Sequence, residues 1–228
     1  MSAPAVWLFT GSDRKRAQYR YLLAELGLAL RAPAITVGVH EPQIEGVGAG
    51  PERALVTEPL RQVADEVRLL DAYPFVIDDT MLFVEHVNGD YDARPVLPGP
   101  DTKRWWAALG AAGLVRLLAG STARRARYVC QLGVLTGPGA QPRVYRVELD
   151  GAIAPGVGGG PPGGDDFPRT NGYFFHSVFV PVGAGCTLAE MDAPEFARHD
   201  YRRRGLHLAA PLLQDAVRGG AAAADGGA

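Results

Sequence analysis

The most constraining feature of this chain is a change in hydrophobic pattern along its length. Short apolar runs alternate with helix-period stretches at first, and two long strand-like runs around a turn follow later. Val6 to Phe9 is an apolar run. After the turn Thr10-Gly11-Ser12-Asp13, apolar residues at Tyr19, Leu22, Leu23 and Leu26 follow helical spacing up to Gly27. Ile35 to Val39 reads as a second strand, and Leu60, Val63, Val67 and Leu70 form the stripe of a helix that Pro59 starts or kinks. Tyr73 to Ile77 is a buried-type strand ending on Asp78-Asp79-Thr80, and Leu82 to Val87 alternates up to the turn Asn88-Gly89. A helix is predicted between Asp101 and Leu118. Tyr128 to Leu135 and Val144 to Leu149 flank the turn segment Gly137 to Pro142 as an antiparallel hairpin. Gly172 to Val180 reads as a last strand and Leu206 to Val217 as a last amphipathic helix. The expected class is α/β: a mixed central sheet with a long antiparallel hairpin and flanking helices.

With 228 residues the chain can bury one sizeable core, so residues 1–218 are expected to form a single domain. The tail from Gly219, GGAAAADGGA, has nothing to pack and reads as disordered. A net charge of −2 gives no electrostatic footprint for nonspecific nucleic-acid binding. Neither a long apolar span nor a charged leader is visible, which points to a cytoplasmic enzyme or binding protein without a membrane partner. Cys130 and Cys186 lack the spacing of a disulfide framework or zinc site. Among the 23 basic residues only Lys15 and Lys103 are lysine, so compositional bias competes with function for every arginine.

Four segments have side chains suited to chemistry. In Thr10-Gly11-Ser12-Asp13-Arg14-Lys15, small residues at a helix N-terminus and one ammonium can receive a phosphate, although a Ser or Asp N-cap accounts for the same pattern. Asp78-Asp79-Thr80 can hold Mg²⁺ through oxygen or cap a turn. In Asn171 to Phe179, NGYFFHSVF, the rings read as core, with Tyr173 or Phe175 available to stack on a base and His176 ambiguous. Arg198 to Arg204, RHDYRRR, is either an anion site or a solvated helix face.

In this order the pieces resemble the inosine triphosphate pyrophosphatase family, enzymes of non-standard purine nucleoside triphosphates, over about Leu8 to Leu213. The family's T-G-N-x-x-K is matched by Thr10, Gly11, Ser12 and Lys15, and its E-D-T-G-L by Asp78-Asp79-Thr80-Met81-Leu82. Its Y-S-A-R is similar to Tyr91-Asp92-Ala93-Arg94. Its P-R-G-x-x-G-F-G-Y-D-P-x-F is similar to Pro168 through Phe179, one residue shorter, and its T-F-A-E-M to Thr187-Leu188-Ala189-Glu190-Met191.

The resemblance implies Mg²⁺-dependent hydrolysis of a nucleoside triphosphate to monophosphate and pyrophosphate, two lobes around a cleft, and a homodimer. By position it implies that Thr10, Gly11, Ser12 and Lys15 hold the phosphates, with Arg94 matching the family arginine. Asp78 and Asp79 take metal and water with Lys15, Tyr173 faces the base beside Phe175 and His176, and Arg202 lies near the purine edge. The family's other metal carboxylate falls at Gln43, with Glu41 and Glu45 as neighbours that can replace it; Glu45 is taken as the third metal ligand. Two family phosphate lysines fall at Glu58 and Phe196, the base-segment glycine and aspartate become Phe174 and His176, and S-H-R reads Asp200-Tyr201-Arg202. A site built for one base edge changes its preference when such partners change, so altered base specificity is expected.

Overall fold

The computed structural model describes residues 4–31, 72–92, 97–99, 101–160 and 174–225. Their centre is β3 (Phe75–Val84), a ten-residue strand apolar on both faces. A strand buried on both sides must lie inside a sheet. On one side it is parallel to β1 (Ala5–Leu8), which in turn carries parallel β2 (Ala29–Arg31). On the other side it runs antiparallel to β5 (Arg125–Leu135), in register from Phe75↔Leu135 to Val84↔Ala126. Next come β6 (Arg143–Ile153) and β7 (Phe179–Pro181), while β4 (Pro98–Gly99) pairs with the end of β3. The result is a seven-stranded mixed sheet of order β2-β1-β3-β5-β6-β7, with β4 off that path.

Helix α1 (Asp13–Glu25) starts at the Ser12 N-cap and ends before Gly27, whose φ of 72° is the left-handed conformation that glycine adopts without strain. The chain then returns directly as β2. Helix α2 (Thr102–Leu117) matches the expected segment, and α3 (Ala193–His199) and α4 (Tyr201–Asp225) close the described chain. Helices α1 and α4 cover one sheet face through Tyr19, Leu22, Leu23, Leu206, Ala209 and Leu213, packed on Val6, Leu8, Val76, Leu132 and Val134. A second core joins Leu82, Val84, Tyr128, Cys130 and Leu149 to Leu114, Phe175, Phe179, Phe196 and Tyr201. No helix among the described residues is long and apolar enough to cross a membrane.

Four details differ from the sequence reading. The runs Tyr73–Ile77 and Leu82–Val87 are one strand up to Val84, so Asp78-Asp79-Thr80 lies mid-strand. The segment read as a strand from Gly172 is, in its described part, a 3₁₀ turn at Phe174–Ser177 before β7, which brings Phe175 against Trp106 with ring centroids 4.2 Å apart. Helix α4 continues past Gly219 to Asp225, consistent with the high helix propensity of its alanines, where a disordered tail was expected. Arg202 is buried and not part of a solvated helix face. The expected strand 35–39 and helix 60–70 lie outside the described residues.

Candidate functional site

Thr10 is buried at the end of β1, and its hydroxyl accepts the Ser12 N–H at 3.1 Å. Ser12 Oγ accepts the Lys15 N–H at 3.3 Å, so it caps α1. Arg16 closes the loop by donating to the Thr10 carbonyl at 2.7 Å. The loop is therefore held by its own hydrogen bonds, and a Cβ at Gly11 would meet nothing within 4 Å. The Lys15 side chain turns inward: it is 3% exposed, and Nζ donates to the Asp78 carbonyl at 2.9 Å.

The two-residue period of β3 sends Asp78 and Asp79 to opposite faces. Asp78 is fully buried on the face covered by α1 and α4. Its Oδ1 lies 3.4 Å from Lys15 Nζ and its Oδ2 accepts from Arg202 Nε at 3.0 Å. Arg202 also donates to Gln18 Oε1 at 3.1 Å, and Gln18 Nε2 donates to Asp200 Oδ2 at 3.2 Å. Asp200 Oδ1 accepts the backbone N–H groups of Arg202 and Arg203. Burial acts to raise the Asp78 carboxyl, but Lys15 and Arg202 outweigh it and hold the group below the usual carboxylate range. Burial raises Asp200, against the hydrogen bonds and arginines that lower it.

Asp79 lies opposite Gln131 of β5, is half-buried, and accepts the Thr80 N–H at 2.8 Å. Among the described residues it is the one acidic residue at a pocket whose cations are Lys15, Lys103 and Arg202 and whose rings are Tyr128, Phe175 and Tyr201. The cavity volume is about 30 Å³. Phe175 is both pocket wall and core, packed on Trp106 and 6.4 Å from Trp105. His176 Nε2 lies 3.3 Å from Tyr201 Oη, and the Tyr201 ring stacks on Tyr128 at 5.4 Å.

The structure thus brings together Thr10, Ser12, Lys15, Asp78 and Arg202 around the strand–helix turn, and His176 with Phe175 on the aromatic side. Glu45, Glu41, Arg94 and Tyr173 lie outside the described residues. Lys103, on α2, was not singled out from the sequence; the signal was lysine scarcity, because both lysines of the chain line this one pocket. Phe196, at a family lysine position, is buried core with its ring 5.6 Å from His176.

For a divalent cation, no group of three or more His, Cys, Asp or Glu side chains converges among the described residues. Mg²⁺ usually takes one or two carboxylates together with substrate phosphates and waters. Asp79 fits that requirement. Asp78, expected as a second ligand, is instead engaged by two buried cations.

Fold and pocket define a mixed α/β protein in which cationic and acidic residues meet aromatic walls at one pocket of the described residues. Residues 6–211 match the Ham1 family, and the chain belongs to it. It is 28% identical over 197 residues to the inosine triphosphate pyrophosphatase of Phaeosphaeria nodorum, covering 86% of this chain and 87% of that protein. It is 27% identical over 185 residues to the dITP/XTP pyrophosphatase of Korarchaeum cryptofilum, covering 81% and 83%. The Ham1 protein structure from Coxiella burnetii superposes with a TM-score of 0.63 at 19% identity, covering 92% of this chain and 98% of that one, and shows the shared fold.

Proposed function

We propose that this chain is a nucleoside triphosphate pyrophosphatase that works with Mg²⁺ and has an altered base preference. The observation that carries the reading is the convergence of both lysines, Asp79 and three aromatic rings on one pocket. In this reading water attacks the α-phosphorus, the bond from that phosphorus to the bridging oxygen breaks, and pyrophosphate leaves with the bridging electrons. Bound Mg²⁺ supplies charge neutralisation on the phosphate oxygens, with Asp79 as its ligand on this chain.

The remaining work falls to the protein's own side chains. Lys15 and Lys103 offset charge on the phosphate chain, and such electrostatic stabilisation supplies much of phosphoryl-transfer catalysis. Asp78 accepts from Arg202, and its carbonyl and carboxylate set where the Lys15 ammonium sits. Asp78 is then a positioning residue and Asp79 the carboxylate that would hold the metal. The buried His176–Tyr201 pair replaces an acid and a histidine of the resembled family, a neutral hydroxyl standing in for an imidazole. That exchange supports a changed base preference.

The test is turnover of a panel of standard and deaminated nucleoside triphosphates, with Mg²⁺ and with the metal chelated. Mg²⁺-dependent release of pyrophosphate supports the reading. Absence of turnover of every member by folded protein overturns it.

A further inference from the structure

We infer that Tyr128 reads the nucleobase, its buried hydroxyl donating a hydrogen bond to a keto oxygen on the base edge. The inference rests on the nucleotide reading above. Tyr128 lies on β5 opposite Leu82 of β3 and Leu149 of β6 and is 3% exposed. Its Oη is shielded from solvent and has no hydrogen-bond partner among the described residues. A buried hydroxyl left unmade carries a desolvation cost with nothing to offset it, so natural proteins keep few of them. One that belongs to a pocket-lining side chain is placed to be satisfied by what enters the pocket.

The position of the ring identifies the part of the ligand. Tyr128 stacks on Tyr201 and lies 4.6 Å from Phe179 and 6.3 Å from Phe175, centroid to centroid. These are the aromatic surroundings that suit the π face of a base. The neighbouring Tyr201 hydroxyl is engaged with His176, which leaves Tyr128 as the phenol of this pocket still to be matched.

The surroundings also set the polarity of the ligand group. Burial drives the Tyr128 phenol well above its ordinary value, so the hydroxyl keeps its proton. The Arg202 cation, held by Asp78 and Gln18, lines the same pocket and acts on the Tyr128 phenol, which favours the phenol oxygen turned toward it and the proton turned away. A hydroxyl oriented to donate is complementary to an acceptor, and therefore to a keto oxygen in preference to an exocyclic amine. That difference separates inosine from adenosine and uridine from cytidine.

The experiment compares the 228-residue chain with its Tyr128→Phe variant on the matched pairs inosine/adenosine and uridine/cytidine triphosphate, in Mg²⁺. Wild type prefers the keto member of at least one pair. Tyr128→Phe lowers that preference about tenfold, as expected for one neutral hydrogen bond, by lowering kcat/KM of the keto member alone. The ligand-free variant keeps or raises its Tm, because it no longer buries an unmatched hydroxyl. An unchanged preference, an equal fall for both members, or a ligand-free Tm lower by several degrees overturns the inference. If wild type hydrolyses none of the four, base reading is measured from nucleotide-induced Tm shifts, and the wider panel decides the pyrophosphatase reading. Selective loss of the keto nucleotide's shift in Tyr128→Phe supports the inference; equal shifts in both proteins, or no shift in either, overturn it.

Discussion

Replacing Asp78 by asparagine tests the most buried part of the site. The substitution preserves shape and keeps an oxygen that can accept from Arg202, but removes the negative charge facing Lys15 and Arg202. The two cations are 3% and 2% exposed, so water cannot take over from the carboxylate. Breaking a buried ion pair from one side typically costs about 3–5 kcal/mol, because a charge is left uncompensated. For a domain of this size each kcal/mol shifts Tm by roughly 2–4 °C. The expected fall at pH 7 is therefore about 6–20 °C, measured by circular dichroism or calorimetry. The double variant Asp78→Asn/Arg202→Met should lose less than the sum of the two single variants, because the second change removes one of the stranded cations. A loss below about 1 kcal/mol for Asp78→Asn, or strict additivity, would refute the argument that these groups form one closed network. The pH dependence has a definite sign. The folded pKa of Asp78 lies below its unfolded value, so its contribution is present above the unfolded carboxylate pKa and disappears as pH falls through the folded one. Asp200 is raised and acts oppositely: its contribution is present below the unfolded value and lost as pH rises through the folded one. Asp78→Asn should accordingly flatten the acid limb of the wild-type stability profile.

Three further outcomes follow from the same geometry. Asp79→Asn should lower kcat by roughly 10²–10⁴-fold, the loss of several kcal/mol of transition-state charge stabilisation expected when a metal ligand is removed, while Tm stays within a few degrees of wild type; wild-type turnover would remove Asp79 from the chemistry. Lys103→Ala should lower kcat/KM for a triphosphate by about 10–100-fold through loss of one charge-assisted contact, with little change in Tm, and equal kinetics would place Lys103 outside the phosphate site. Gly151→Ala should destabilise the β6–β7 edge by about 1–3 kcal/mol, because the added Cβ would lie 2.3 Å from the Val180 carbonyl oxygen and 2.6 Å from Phe179 Cζ; unfolding at the wild-type denaturant midpoint would contradict that packing.

The hairpin and the strand–loop–helix opening were legible because their determinants are local. Alternation in Val144 to Leu149 and the small polar turn after Phe9 need no distant partner to be read. The middle of β3 was not legible. Adjacent aspartates interrupt an apolar run and look like a strand end, and what makes them tolerable mid-strand is remote: Lys15 lies 63 positions from Asp78 and Arg202 lies 124. Arg202 was obscured by composition, since in an arginine-rich chain one buried guanidinium looks like the solvated ones around it. Lys103 was obscured because a lysine in a helix's first turn has no local signature. The aromatic run before β7 was read as strand from residue type, whereas contacts of Phe175 with Trp106 and Tyr128 accompany a 3₁₀ turn.

The central claim is that this pocket cleaves a nucleoside triphosphate between its α- and β-phosphates. Phosphorus NMR of the protein with its best triphosphate and Mg²⁺ tests it most directly. The account predicts nucleoside monophosphate and pyrophosphate appearing in equal amounts. Nucleoside diphosphate with orthophosphate, or an unchanged triphosphate spectrum in the presence of folded protein, would contradict it.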